Sequence, residues 1–477
     1  MGGTSPAIIS NEELCTIGSD HAVVTWVTSR PCPRVTVRIG EDPTRLAGVT
    51  VMSDSEYHSV ELTGLQPATR YWYQVESAGA RGSLSCFQTL PAPEGKYLFS
   101  FGIITDAHVS AEHTFNDPNR LFLGKLSEHA DVLLTQAILD AQERKVDLVV
   151  FTGDLTDTGD RSQYLQVRDE VLPSLGRTPY LLCIGNHDKF TRYGGVGERG
   201  FYEYLAVRER GYQSTGFKGY NFVLLDACLE NDNLGYLDAA QLEWLEGTLR
   251  ESGGRPAFVF LHHPANGFDL WFGLRNGQDL TRLIGRFPCV QGVFCGHMHR
   301  AKITTDRPDK GDLPYVEVPA TVQYPCAYAV VRVYEKGYEY NSYKVSRLDL
   351  SELSRDRFIL KSGGQAVFTW YSLGGLGDRC FSYSNGLLQR PELYELSITL
   401  NQARALRFYQ QTQATGGSSL APVNAGTTRV VLGRFSCLGL AQRAHREKAA
   451  LYGVHAAISD ATIKRTPRGD GGSFRPK

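Results

Sequence analysis

No stretch of this chain approaches the roughly 18 consecutive apolar residues that a membrane-spanning helix needs. The first residues carry neither the basic nor the apolar segment of a secretory signal, so a cytoplasmic protein is the expectation. Gly2 is followed by Pro6 where a myristoylation pattern wants Ser or Thr, so that anchor is not expected. Charge of one sign is missing as well. The 50 basic residues stand against 51 acidic ones, leaving no global field to draw nucleic acid or a lipid surface. The ten cysteines form no Cys-x-x-Cys pair, and Cys183 and Cys295 lie in apolar runs; reduced, buried thiols are expected rather than a disulfide frame. There is no internal repeat and no long heptad segment.

What is present is an ordinary globular composition, 42% apolar and 21% charged, spread over 477 residues, too many for one compact core. Residues 1–90 read as all β. Val24 and Trp26 share one face of a strand, Val35, Val37 and Ile39 share a face of the next, and Pro31 and Pro33 suggest a turn between the two. After the turn at Pro67, Tyr71, Tyr73 and Val75 alternate inward, similar to the tyrosine corner of a fibronectin type III sandwich. Pro91 and Pro93 make a short stiff linker.

From Tyr97 strands and helices alternate in an α/β order. After Pro314 the pattern turns to strands, with a hairpin at Lys336-Gly337. The α/β unit is expected over 97–345, followed by an extension of uncertain fold over 346–412, in which Phe368 to Tyr371 and Cys380 to Tyr383 read as strands. Residues 413–477 read as a Gly/Ser/Ala-rich linker and a basic, disordered tail.

The chemistry lies at strand ends. Leu148 to Phe151 is a short apolar run with two adjacent valines, the pattern of a strand covered on both faces. Gly153 turns the backbone sharply and delivers Asp154 to the mouth of that strand, where α/β sheets bind ligands. Four other segments end alike: Asp106-Ala107-His108, Gly185-Asn186-His187-Asp188, His262-His263-Pro264 and Gly296-His297-Met298-His299. Six of the twelve histidines stand in these segments. In Asp-x-His and His-x-His, two side chains share one side of an extended segment and can converge on a metal. Imidazole with carboxylate suits manganese, iron or zinc, and the absence of cysteine among the ligands argues against a structural zinc. Asp106, His108, Asp154, Asn186, His262, His297 and His299 are more groups than one ion uses. Two divalent ions sharing the Asp154 carboxylate are therefore expected, each with room left for water.

This ordered series resembles the calcineurin-like metallophosphoesterase superfamily, and within it the class III cyclic nucleotide phosphodiesterases and related glycerophosphodiesterases. The resemblance covers about Tyr97 to Val345 and implies a four-layer αββα sandwich of two mixed sheets flanked by helices. It implies one ion on Asp106, His108, Asp154 and His299, and another on Asp154, Asn186, His262 and His297. His187 then stands free of metal as the general acid beside the leaving group, while a hydroxide bridging the ions attacks phosphorus. The substrate implied is a small-molecule phosphodiester, a cyclic nucleotide or a glycerophosphodiester, with no nucleic acid or membrane as partner.

The all-β segment ahead of this unit is similar to the arrangement in purple acid phosphatases, which raises a phosphomonoesterase as the competing activity. The residues differ from that family at two places: His108 stands where it has Gly, and Asp157 stands where it has a metal-bound Tyr. A nuclease on the same ligand set and a metal-binding scaffold without catalysis also compete. Near-neutral charge argues against the nuclease, and the complete ligand set against the scaffold.

Around the motifs, Lys189, Arg192 and Arg300 are candidate phosphate clamps, and Phe268 and Trp271 are candidate covers of the site. Asp157 and Asp188 are expected to orient histidines or cap helices, and His263 to pack behind His262.

Overall fold

The computed structural model describes residues 6–110, 124–192, 194–206, 210–266, 272–305, 312–361 and 367–391, with four further strands. Phe268, Trp271, His113 and most of 402–477 lie outside the described residues.

The N-terminal part is one six-stranded antiparallel sheet folded on itself: β1 (Ile9–Ile17), β2 (His21–Gly40), β3 (Ala47–Thr63), β4 (Arg70–Ser77), β5 (Ala80–Arg81) and β6 (Ser85–Gln88). The turn expected at Pro31 and Pro33 is absent; β2 runs through as one strand of 20 residues. Its ladder to β3 shifts register between Val27 and Cys32 and again between Cys32 and Arg34, so both prolines fall where the ladder is interrupted and no donor is missed. The first half of β2 pairs with β1 and the second half with β4, which lets one strand serve both layers. Val24, Trp26, Val35, Val37, Tyr73 and Val75 fill the core between them. Tyr71 Oη accepts the Gln66 N–H at 2.9 Å, the corner contact expected.

Beyond it two mixed sheets face each other. The seven-stranded one runs β19-β18-β17-β16-β7-β8-β9, with β7 (Tyr97–Ile104), β8 (Leu148–Phe151), β9 (Tyr180–Leu182), β16 (Ala327–Tyr334), β17 (Gly337–Lys344), β18 (Cys380–Ser384) and β19 (Leu387–Gln389). The six-stranded one runs β10-β11-β12-β13-β15-β14, with β10 (Gln213–Phe217), β11 (Tyr220–Leu224), β12 (Ala257–Phe260), β13 (Val290–Cys295), β14 (Lys302–Thr305) and β15 (Pro314–Glu317).

Period two explains the apolar runs. In β8, Leu148 and Val150 point into the core between the sheets, while Val149 and Phe151 point out to the helix Ala130–Glu143. In β12, Phe258 and Phe260 point in, and Ala257 and Val259 face outward, where the helices Ala239–Glu251 and Gly277–Ile284 cover them. Phenylalanines interdigitate between the sheets, with Phe101 centred 5.1 Å from both Phe222 and Phe258. This is the αββα arrangement the resemblance implied.

Two differences concern the region after Val345. Phe368 to Tyr371, expected as a strand, lies in the helix Val367–Leu373. Aromatic content favours a strand there, and tertiary contacts to the site decide otherwise. The strands β20 (Tyr394–Asn401), β21 (Ser419–Asn424), β22 (Thr427–Phe435) and β23 (Thr462–Arg465) form a four-stranded sheet that includes stretches read as linker and tail. Nine of the ten cysteines are described, and Cys183 and Cys295 are buried as expected.

Candidate metal centre

The loops leaving β7, β8, β9, β12 and β13 meet at one end of the two sheets and bring all seven candidate ligands together. The pairs do not converge by the alternation of extended strands, as their spacing suggested. Asp106, His108, Asp154, His297 and His299 all have positive φ, between 48° and 70°. They account for five of thirteen such non-glycine residues among those described. Each left-handed kink costs roughly 1–3 kcal/mol, and their clustering marks a site whose geometry is imposed by its surroundings.

Cross-loop hydrogen bonds do the imposing. Asp106 N–H donates to Gly153 O at 3.1 Å, His108 N–H to Asp154 O at 2.9 Å, and His297 N–H to the Asp106 carboxylate at 2.9 Å. Gly153 has φ +102°, and a Cβ there would lie 2.6 Å from His262 Nδ1. A Cβ on Gly185 would strike Asp154 itself, so both glycines are needed for the approach of backbone to ligand.

The ligand atoms form two groups around one carboxylate oxygen. Asp154 Oδ2 lies 3.2 Å from His262 Nε2 and 3.5 Å from His108 Nε2, while Asp154 Oδ1 accepts the His187 N–H at 2.8 Å. On one side, His108 Nε2 and His299 Nε2 are 3.0 Å apart, with Asp106 Oδ1 3.3 Å from His299 Nε2. On the other, Asn186 Oδ1 lies 3.0 Å from both His262 Nε2 and His297 Nδ1. Every candidate ligand but His297 is nine-tenths or more buried.

The other ring nitrogens are engaged outward. His108 Nδ1 faces Asp157 Oδ1 at 3.2 Å, His262 Nδ1 faces Thr152 O at 2.8 Å, and His299 Nδ1 faces Gln323 Oε1 at 3.1 Å. Those oxygens only accept, so each Nδ1 carries the proton and each neutral Nε2 points a lone pair inward. Lone pairs from three buried imidazoles then converge with two carboxylates and a carboxamide oxygen. A cation fits that donor set; among the described residues no lysine or arginine pairs with Asp106 or Asp154.

The charges agree. Burial and Lys125 push His108 well below its ordinary value, and burial with His263 does the same to His297. Burial works against the Asp106 and Asp154 carboxylates, yet the surrounding histidines hold both below the usual range. His262 is the exception: Asp154 lifts it, against its burial, to about 9, so with the carboxylate as its partner its Nε2 holds a proton that a metal ion would have to displace. His297 Nε2 has no hydrogen-bond partner among the described residues.

His187 sits at the edge, its side chain 23% exposed, between the rings of His108 and Phe190. Its Nδ1 donates to Asp157 O at 2.7 Å, which leaves Nε2 to carry the second proton. His187 also joins His108 and Asp154 in a group whose ligand atoms lie within 4.8 Å of one another.

Two of the candidate clamps are already tied to carboxylates. Lys189 is buried against Asp226 at 2.7 Å and Glu198 at 3.1 Å, and Arg300 binds Glu317. Arg192 stacks over Phe190 at 4.1 Å. Asp188 accepts backbone N–H groups from Gly185 and Thr156 and rises to about 6 by burial and the Asp154 charge. His263 is fully buried behind the site, its ring 4.2 Å from that of His297, and is pushed down to about 3 by burial and His262. The sequence pattern gave no sign of Lys125, whose Nζ is 3.4 Å from His108, of Gln323, or of Asn233, whose Oδ1 accepts from Asn186 Nδ2 at 3.4 Å. None of the three lies in a motif.

Residues 99–301 match the family model described as calcineurin-like phosphoesterase, and residues 14–89 match the purple acid phosphatase N-terminal domain. A glycerophosphodiester phosphodiesterase, GpdQ, from Enterobacter lignolyticus is 30% identical over 242 residues, covering 48% of this chain and 81% of that protein. The chain belongs to the calcineurin-like phosphoesterase family. A 3',5'-cyclic-nucleotide phosphodiesterase from a Nostoc species is 30% identical over 209 residues, 43% of this chain and 73% of that one. Among solved structures, a dimetal phosphatase from Danio rerio aligns at 18% identity and TM-score 0.44, over 52% of this chain and 96% of that chain. As a calcineurin-like phosphoesterase, the protein is a metal-dependent phosphoester hydrolase with a purple-acid-phosphatase-type β domain ahead of the catalytic fold. No helix among the described residues is long and apolar enough to cross a membrane.

Proposed function

We propose that this calcineurin-like phosphoesterase hydrolyses small-molecule phosphodiesters on two divalent ions. Asp106, His108, Asp154 and His299 would hold one ion, and Asp154, Asn186, His262 and His297 the other. The observation that carries this is Asp154 Oδ2, close to the inward nitrogen of His108 on one side and of His262 on the other. Bound ions of this kind neutralise phosphoryl charge and lower the pKa of water.

The chain's own residues do the rest. Thr105 Oγ1 and the His297 N–H donate to Asp106 and fix that carboxylate toward His299. Asp157 holds two histidines at once, through its carboxylate to His108 and through its carbonyl to His187. His187, at the exposed edge and with its tautomer set, is placed to give a proton from Nε2 to the departing oxygen. Manganese, iron and zinc all suit these donors.

Diesters are favoured over monoesters by the relatives, at 30% identity, named as glycerophosphodiester and cyclic-nucleotide phosphodiesterases. Asp157 supports the same side, because it is committed to histidines at the place where a purple acid phosphatase has its metal-bound Tyr. The match of residues 14–89 to a purple acid phosphatase domain keeps a monoesterase as the second reading. We place the catalytic unit from Tyr97 through β19, since β18 and β19 complete its larger sheet.

The test is hydrolysis of bis-p-nitrophenyl phosphate and p-nitrophenyl phosphate side by side, after chelation and readdition of manganese, iron or zinc. Faster diester cleavage is expected. A monoester preference would move the assignment to a phosphatase on the same residues.

A further inference from the structure

The region after Val345 carries no motif, yet it reaches the metal loops. Past His299, Ala301 N–H donates to the Ser372 carbonyl at 2.8 Å and Arg300 Nη1 to the Tyr371 hydroxyl at 2.9 Å, with the guanidinium 4.9 Å over that ring. Ile303 N–H donates to Asp378 Oδ1 at 3.3 Å, and a Cβ on Gly374 would strike the Ala301 carbonyl. Beneath these contacts, Gln323 Nε2 donates to Ser372 Oγ at 3.4 Å, and Gln323 Oε1 accepts from His299 Nδ1 at 3.1 Å. Ser372 and Gln323 are both buried.

The same segment is rooted in the N-terminal sandwich. Leu376 and Cys380 belong to the sandwich core, and Ile17 N–H donates to Cys380 Sγ at 3.3 Å. Arg379 Nη1 donates to Glu13 at 2.5 Å and Arg379 Nη2 to Leu14 O at 3.3 Å.

We propose that residues 367–384 are a strap that fixes His299 as a metal ligand and ties the metal centre to the sandwich, with Gln323 as the positioning residue between strap and histidine. This rests on the two-ion reading above. An acceptor on Nδ1 sets the tautomer that turns the Nε2 lone pair inward and raises its basicity; losing such a partner typically costs 10–100-fold in metal affinity. The effect is confined to the ion on His299, because the outward partners of His262 and Asn186 are Thr152 and Asn233, off the strap.

The full chain is titrated with Mn²⁺ against a chelator, and the electron paramagnetic resonance signature of a spin-coupled manganese pair is recorded. Gln323→Leu is expected to bind one ion as the wild type does, to bind the second about 10–100-fold more weakly, and to lose the coupled signature at limiting metal. Gln323→Glu, which keeps an acceptor for Nδ1, restores both. Ser372→Ala shifts the second ion in the same direction by less, and carries the test if Gln323→Leu does not fold. Unchanged binding of both ions, or equal weakening of both, overturns the strap. A wild-type chain that never takes a second ion overturns the two-ion reading instead.

Discussion

Two clusters of histidine and carboxylate in this molecule have similar composition and opposite fates. At the metal centre, Asp106, Asp154, His108, His262 and His299 turn lone pairs and charge toward each other. At the seam between sandwich and catalytic sheet, Asp20, His21 and Glu339 also lie within 4.8 Å of one another. There a guanidinium does the neutralising: Arg332 pairs with Asp20 at 2.8 Å and stands 3.8 Å from Glu339. His21 donates or accepts at both nitrogens, to Asp20 at 2.8 Å and Tyr343 at 2.7 Å. A nearby seam cluster is built alike, with Glu13 held between Lys344 at 3.0 Å and Arg379. A cluster that brings its own cation is structural. At the proposed metal centre Lys125 reaches His108, at 3.4 Å, and among the described residues no lysine or arginine pairs with Asp106 or Asp154, which leaves those carboxylates for a metal ion.

The sharpest way to break this contrast is Asp154→Ala, which removes the oxygen shared by both groups. It is expected to abolish metal binding and hydrolysis together, a loss of more than about 1,000-fold in kcat, measured by metal analysis beside a diester assay. Retained turnover in a metal-free variant would sink the contrast. His187→Ala is expected to keep the metal content and lose about 10²–10⁴-fold in kcat, more with poor leaving groups than with p-nitrophenol. A loss of bound metal in that variant would move His187 into the ligand set.

The seam clusters answer to stability rather than metal. Burial alone would raise Glu13, yet Lys344 and Arg379 hold it down to about 2 from an ordinary 4.5. A depressed carboxylate stabilises the fold above its unfolded pKa, and the contribution fades as pH falls from about 4.5 through about 2. Glu13→Gln should therefore melt lower than the wild type at pH 7, by up to about 3 kcal/mol, with the gap closing between those two values. A gap independent of pH would contradict the pairing. Arg332→Ala should cost about 2 kcal/mol, less than a fully buried pair because Asp20 is half exposed. Its metal content and kcat should match the wild type.

Much of this was legible in the chain. Each candidate ligand stands just past an apolar run at the end of a strand, and the five segments keep their order, so the αββα fold and the gathering of these residues at one end of it could be read together. The backbone route was not legible. Left-handed φ at Asp106, His108, Asp154, His297 and His299 comes from hydrogen bonds between loops far apart in sequence, which no local pattern reveals. For the same reason Gln323, 24 residues beyond His299, and Lys125 carry no local signal. The misplaced turn in β2 arose because prolines at a register shift look like prolines at a chain reversal. Lys189, beside a motif, reads as a clamp until it is seen buried and paired with Asp226 and Glu198.

The most direct measurement is a metal titration of the chelated wild-type chain in which bound Mn²⁺ and hydrolysis of bis-p-nitrophenyl phosphate are followed in the same samples. Two ions per chain, with turnover rising as the second binds, is the predicted result. Turnover complete with one ion bound, or undiminished in the metal-free chain, would contradict a shared-carboxylate, two-ion site.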